Sequence, residues 1–229
     1  MSNPDKLQLY SWCTPNGHKI HIMLEELGVE YDIHAIDIGK GDQFQPEFLK
    51  ISPNNKIPAL IDPDGPGGSP ISVFESAAIL IYLADKFDRF FPSTTRKRLD
   101  VLQWLMFQMA SVGPMLGQAH HFRRYADEKI PYAIERYTKE AKRIYRVMNT
   151  HLEDKHYFAT DTYTIADIAI YPWTRSNEKQ GVDLNDYPHF KRWYENVGGR
   201  PAVEKGIDVL ENYQREMTAE DKKVLFNQQ

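Results

Sequence analysis

Three short stretches of this chain hold residue types that could do chemistry together. Ser11-Trp-Cys-Thr14-Pro-Asn-Gly17 offers a hydroxyl, a side-chain amide and a glycine at the foot of an apolar helical pattern. A helix starting there turns free N–H groups and the positive end of its dipole toward an anion such as a thiolate. Taken alone, the stretch also reads as a capped strand-to-helix turn. Asn54-Asn-Lys-Ile57-Pro58-Ala-Leu60 sets a proline directly before a strand pattern. A cis bond there would turn the Ile57 backbone outward to pair with an extended peptide; a trans proline would only open an edge strand. Phe74-Glu75-Ser76 opens a further helix with a carboxylate and a hydroxyl. That pair is a helix cap on the plainer reading. On the functional one, the free N–H groups and Ser76 hold a carboxylate while Glu75 holds an ammonium.

The elements that must position these residues follow from local pattern. Leu7–Tyr10, Tyr31–Ile38, Ala59–Ile61 and Ile71–Val73 are strand-length, partly β-branched apolar runs. Between the first two, His18–Leu27 places Ile20, Met23, Leu24 and Leu27 at helical spacing, and Gly28 stands ready as a C-terminal cap. A short helix is expected near Pro46–Lys50, and a buried one over Ser76–Phe87. Asp62-Pro-Asp-Gly-Pro-Gly-Gly-Ser-Pro70 is a loop. A helical crossover implies a parallel strand pair and the loop an antiparallel one. The first 87 residues therefore predict a four-stranded mixed sheet covered by helices. Beyond them glycine and proline thin out. Helices are expected over Lys97–Val112, Pro131–Leu152, Ile165–Gln180 and Pro188–Asn196. Residues 88–95 read as a linker and 96–229 as an all-helical domain. The charged stretch Glu216–Lys223 reads as a solvated helix or frayed end.

Composition narrows the class. With 229 residues, the chain is long enough for one or two domains with real cores. Its formal net charge of −4 lacks the basic footprint of a nucleic-acid binder. The longest apolar run, Ala77–Ala84, falls far short of the ~18 residues of a membrane span. A chain opening Met1-Ser-Asn-Pro-Asp5 with one cysteine, Cys13, and no signal-peptide pattern is expected in the reducing cytoplasm. His120-His121 with Arg123-Arg124 does not make a metal site without further ligands. It reads as a solvated or substrate-facing wall, and Tyr132 and Tyr137 as core packing or cleft lining. No metal is expected.

The order strand, Thr-Pro loop, helix, Ile-Pro, strand, Glu-Ser, helix resembles the glutathione-binding domain of cytosolic glutathione transferases. That resemblance implies a thioredoxin-like α/β domain followed by an all-α domain. Thr164-Ile-Ala-Asp167 is similar to the family's helix capping box, a structural motif with Tyr163 and Ile168 as its staple. Thr14-Pro-Asn-Gly-His-Lys19, Ile51-Ser-Pro-Asn-Asn-Lys-Ile-Pro58, Phe74-Glu-Ser76, Gly113-Pro-Met-Leu-Gly-Gln118 and Ile130-Pro-Tyr-Ala-Ile-Glu-Arg-Tyr137 narrow it to the Nu class, over about Leu7 to Val209. The resemblance implies a homodimer with glutathione as cosubstrate and glutathione-dependent disulfide-bond reductase activity. Each site would hold two glutathiones or one glutathione disulfide, and transferase and peroxidase activity would be modest. Carried over position by position, Thr14 and Asn16 would donate to the glutathione sulfur. Gln43 and Ile57 would hold its backbone, Lys56 a carboxylate, and Glu75 and Ser76 the γ-glutamyl amine and carboxylate. Arg136 would meet the carboxylate of the second glutathione; the plainer reading leaves it a solvated helix-surface arginine. Gln103 has no firm counterpart.

The chemistry so implied needs no enzyme cysteine. A free thiol titrates near ~8.5; a helix N-terminus and donated hydrogen bonds lower that value, and the thiolate attacks a disulfide sulfur. Cys13 either forms a mixed disulfide with glutathione or is a strand-end residue facing the other way. Two other functions use the same residues: a transferase acting on small electrophiles, and a non-catalytic binding module.

Overall fold

The computed structural model describes residues 5–226 as two compact units. The first joins the chain up to Phe87 with the stretch from Pro201 onward; the second is Asp88–Arg200.

The first unit is built on β1 (Leu7–Ser11), α1 (Pro15–Leu27), β2 (Tyr31–Ala35), α2 (Pro46–Leu49), β3 (Ala59–Asp62), β4 (Ile71–Phe74) and α3 (Ser76–Phe87). Its sheet has the order β2-β1-β3-β4. β1 runs parallel to β2 and antiparallel to β3, and β3 is antiparallel to β4. The expected mixed four-stranded sheet is therefore present. Leu9 and Leu60 are buried in its middle, and Ile20, Met23 and Leu24 of α1 and Ile79, Leu80 and Leu83 of α3 are buried as well. Helix α1 starts three residues before the apolar spacing does, because Thr14 caps it and Pro15 fills the first position, where no N–H is needed. Gly28 ends it in the left-handed conformation (φ 69°). β2 stops at Ala35 rather than Ile38, because its partner β1 ends at Ser11 and the Ile36 N–H, donating to Ser11 O at 2.9 Å, makes the last rung of their parallel ladder.

Two further helices, α10 (Pro201–Asp208) and α11 (Ala219–Phe226), complete this unit. The sequence places both with the helical domain, and gives α10 no signal of its own. Gly206 is the physical reason α10 can lie on α1: a Cβ there would come within 2.6 Å of Ile22 Cα. Nor is the tail simply solvated. Asp221 is buried, accepts from Thr218 N and Oγ1 at 2.8 Å, and pairs with Arg215, which also lies 3.5 Å from Asp37. The Arg215 guanidinium holds the Asp221 carboxyl well below the usual range.

The second unit is all helical. It contains α4 (Thr95–Phe107), continued through a π-helical stretch, Gln108–Val112, into α5 (Gly113–His120), then α6 (Pro131–His151), α7 (Ile165–Thr174), α8 (Asn177–Gln180) and α9 (Pro188–Gly198). The single helix expected over Ile165–Gln180 is broken at Arg175 and Ser176, between α7 and α8. Residues 88–95 are not a loose linker. Phe91 is buried under Arg98, and Phe90 O accepts from Ile165 N at 3.0 Å. The capping box is formed. Asp167, fully buried, accepts from Thr164 N (3.0 Å), Thr164 Oγ1 (3.1 Å), Phe158 N (3.1 Å) and Trp193 Nε1 (2.9 Å). It ties three separate segments together at one carboxylate.

Candidate functional site

Sheet register brings the three chemical stretches to one end of the first unit. Tyr10 pairs with Ala59, and Ala59 with Phe74. The residues next along each strand, Ser11 onward, Pro58 and Glu75, therefore emerge together beyond the carboxyl end of β1. Open sheets with helical crossovers bind ligands at such ends.

At the first stretch the backbone folds tightly. Thr14 N donates to Trp12 O at 2.8 Å, and Thr14 Oγ1 accepts from Gly17 N at 3.2 Å. Only glycine fits at position 17: a Cβ would sit 2.1 Å from Trp12 O and 2.7 Å from Ser11 Oγ. The Thr14 oxygen keeps its own O–H for a ligand while capping the helix, and Asn16 stands half-buried on the first turn. The neighbouring Cys13 lies past the end of β1, not on it. Its Sγ donates to Leu210 O at 2.7 Å, and burial pushes its thiol up to about 11.

At the second stretch the Ile57–Pro58 bond is cis. Ile57 precedes the β3 ladder, so the sheet does not use its N–H and C=O. The loop is braced behind it by Ser52 Oγ, which donates to Lys56 O at 2.7 Å, while the Lys56 side chain is exposed.

At the third, Glu75 has φ 70°, a left-handed conformation that costs a non-glycine residue of order 1 kcal/mol. Such outliers gather at functional sites. Glu75 O accepts from Ile79 N at 3.0 Å, so the bend delivers the exposed Glu75 side chain and the first N–H groups of α3 together. Ser76 is 3% exposed, and Lys19 Nζ donates to its Oγ at 3.1 Å. Lys19 has no exposed surface at all. Burial pulls its ammonium down to about 7, and Glu75 opposes that shift. Sequence reasoning assigned Lys19 no role; a lysine set among Ile20, Ile22, Met23 and Leu24 in a helical run was the signal available.

Gln43 departs from expectation in its orientation. It is 3% exposed, and its Nε2 donates to Ile38 O at 3.1 Å. Its Oε1 is buried and unmatched among the described residues. The amide is thus turned into its own loop, and contact with a ligand requires it to rotate.

In the second unit, Arg136 is exposed on α6 and lines a groove of about 690 Å³ together with Met115, Tyr132, Tyr137, Glu140 and Arg143. Arg143 is held by Glu140 at 2.8 Å through two nitrogens. Tyr132 is 72% exposed, so it is not core, whereas Tyr137 stacks on Phe122 with ring centroids 5.4 Å apart. Gln103 is exposed on α4 and donates to Leu99 O at 3.2 Å. His120 stacks on Tyr125 and is held down to about 4 by burial, with the charges of Lys179, Arg124 and His121 adding to it. Among the described residues no group of three or more histidine, cysteine, aspartate or glutamate side chains could hold a metal. Among them, too, no helix is long and apolar enough to cross a membrane.

Comparison with known proteins matches residues 5–85 to the model of the glutathione S-transferase N-terminal domain and residues 109–201 to that of the C-terminal domain. The chain is 50% identical over 202 residues to the disulfide-bond oxidoreductase YfcG of Escherichia coli (strain K12), covering 88% of this chain and 94% of that one. A glutathione transferase family member from Pseudomonas fluorescens, crystallised with two glutathiones bound, is 45% identical with a TM-score of 0.85, over 89% of this chain and 93% of that one. A glutathione transferase from Pseudomonas putida, with one glutathione disulfide bound per subunit, is 42% identical with a TM-score of 0.88, over 91% and 94%.

Proposed function

The chain belongs to the glutathione S-transferase family, and from that premise we propose that it is a glutathione-dependent disulfide-bond reductase. The observation that carries this reading is at the sulfur position. The α1 N-terminus presents the Thr14 hydroxyl, while the one cysteine has its thiol turned to Leu210 O and pushed up to about 11. The protein therefore supplies the environment for a thiolate and leaves the reacting sulfur to glutathione.

In the proposed sequence Thr14 and Asn16 donate to the sulfur of a first glutathione and stabilise its thiolate with the α1 dipole. Ile57 pairs its backbone with the cysteinyl unit. Lys56 takes a carboxylate, Gln43 reaches the glutathione backbone after rotating, and Glu75 and Ser76 take the γ-glutamyl amine and carboxylate. The thiolate attacks one sulfur of the substrate disulfide; that S–S bond breaks, and the departing sulfur takes a proton to leave as a thiol. The thiolate of a second glutathione, its carboxylate held by Arg136, attacks the glutathione sulfur of the mixed disulfide. The second substrate thiol leaves, and glutathione disulfide is the oxidised product. One disulfide and two glutathiones become two thiols and one glutathione disulfide. We place the enzyme in the cytoplasm as a homodimer, with small disulfides and electrophiles as substrates.

The test is turnover of a small mixed disulfide with glutathione, beside conjugation of a standard electrophile. Strong disulfide turnover, weak conjugation and loss of the former in Arg136→Ala support the reading. The reverse pattern makes the protein a conjugating transferase and Arg136 a surface residue. Failure to bind glutathione leaves a binding module.

A further inference from the structure

A lysine with no exposed surface, set at the N-terminal end of a helix, is an expensive arrangement. Burial works against its charge, and the α3 dipole repels it. Lys19 nonetheless sits there, with Nζ 3.1 Å from Ser76 Oγ, the first residue of α3. An ammonium can only donate, so the Ser76 oxygen is the acceptor. The hydroxyl's own hydrogen is then directed away from Lys19. Glu75 is the acidic neighbour that partly offsets the charge. An anion arriving at the same helix end would favour the charge further.

We propose that Lys19 is a positioning residue for the γ-glutamyl carboxylate: through Ser76 Oγ it fixes the hydroxyl as a donor and adds positive charge beneath the α3 N-terminus. The inference rests on the glutathione reading above and adds to it a residue that touches no ligand. Lys19 takes no part in the sulfur chemistry at Thr14. Its loss therefore weakens recognition of one carboxylate and leaves the step at the sulfur alone.

The experiment compares glutathione with an analogue in which 4-aminobutyryl replaces γ-glutamyl, removing only the α-carboxylate. In wild type the analogue binds more weakly, by about 10- to 100-fold, the range of a hydrogen bond to a charged group. In Lys19→Met, glutathione KM and Kd rise toward the analogue's, the analogue's own Kd stays put, and kcat at saturation stays within about threefold. Ser76→Ala weakens the same discrimination to the same extent, and Lys19→Met/Ser76→Ala loses nothing more. Lys19→Gln carries the same readout if the methionine variant does not fold. Equal weakening of both ligands, or of neither, overturns the proposal, as does failure of both Lys19 variants to fold, which would make the ammonium a structural ion. A wild type that distinguishes the two ligands but turns over no disulfide sinks the functional reading and leaves Lys19 its role. A wild type that turns over disulfides but ignores the carboxylate does the opposite.

Discussion

Thr14→Ala separates the two duties of one oxygen. Oγ1 accepts from Gly17 N at 3.2 Å and so caps α1, while its O–H is available to a bound thiolate. Losing the cap costs about 1 kcal/mol of stability. Losing a hydrogen bond to a charged sulfur costs about 1.5–3 kcal/mol of thiolate stabilisation. At 1.36 kcal/mol per pH unit, the pKa of the bound glutathione thiol should rise by about one to two units. The assay is titration of enzyme-bound glutathione by thiolate ultraviolet absorbance between about pH 5 and 9, with disulfide kcat/KM measured in parallel. Both titration midpoint and rate should move together, and Thr14→Ser, which keeps the hydroxyl, should restore both. The reasoning fails if Thr14→Ala lowers the melting temperature while the bound thiol titrates as in wild type. Thr14 would then be a helix cap and nothing more.

Three other outcomes are expected. Gly206→Ala should destabilise by about 2 kcal/mol or more, because its Cβ would fall 2.6 Å from Ile22 Cα; at an open helical site the same change would stabilise by up to ~1 kcal/mol, so the sign from urea unfolding decides. Asp167→Asn should cost about 2–4 kcal/mol at unchanged urea slope, because an amide nitrogen would face the Thr164 N–H in place of an acceptor; a loss below about 1 kcal/mol would refute the four-donor account. Cys13 should alkylate at neutral pH about 100-fold more slowly than a free thiol, since burial raises its thiol by about two units, to about 11; Cys13→Ala should retain most turnover, and near-complete loss would overturn the glutathione-only mechanism.

What was legible in the sequence was what short-range pattern encodes. Ser76–Phe87 is helical over the whole range its apolar pattern suggested, and the four apolar runs are the four strands. Composition does not encode where a strand ends when its partner runs out first, which is how β2 stops one rung past Ser11, the last residue of β1. Nor does it reveal that Gly206 exists to let two backbones approach. The site's residue types were readable because Thr-Pro, Ile-Pro and Glu-Ser each have local meaning. Lys19 and the inward turn of Gln43 were not, because a buried ammonium and a buried amide are decided by partners 57 and 5 residues away, Ser76 and Ile38.

The docking of α10 on α1 has a consequence for how the protein is made. The sheet-bearing unit is stitched from both ends of the chain, whereas the helical unit is one uninterrupted segment. Chains generally begin folding from the N-terminus as they leave the ribosome, at about 5–20 residues per second. Here the half translated first cannot finish. The face of α1 around Ile22 waits for Gly206, some ten seconds or more of synthesis later at that rate. The contiguous helical segment is complete before then, so the unit that begins the chain is the last to close. A nascent chain stalled before Pro201 should leave that α1 face open to chaperones, and release of α10 should end their hold.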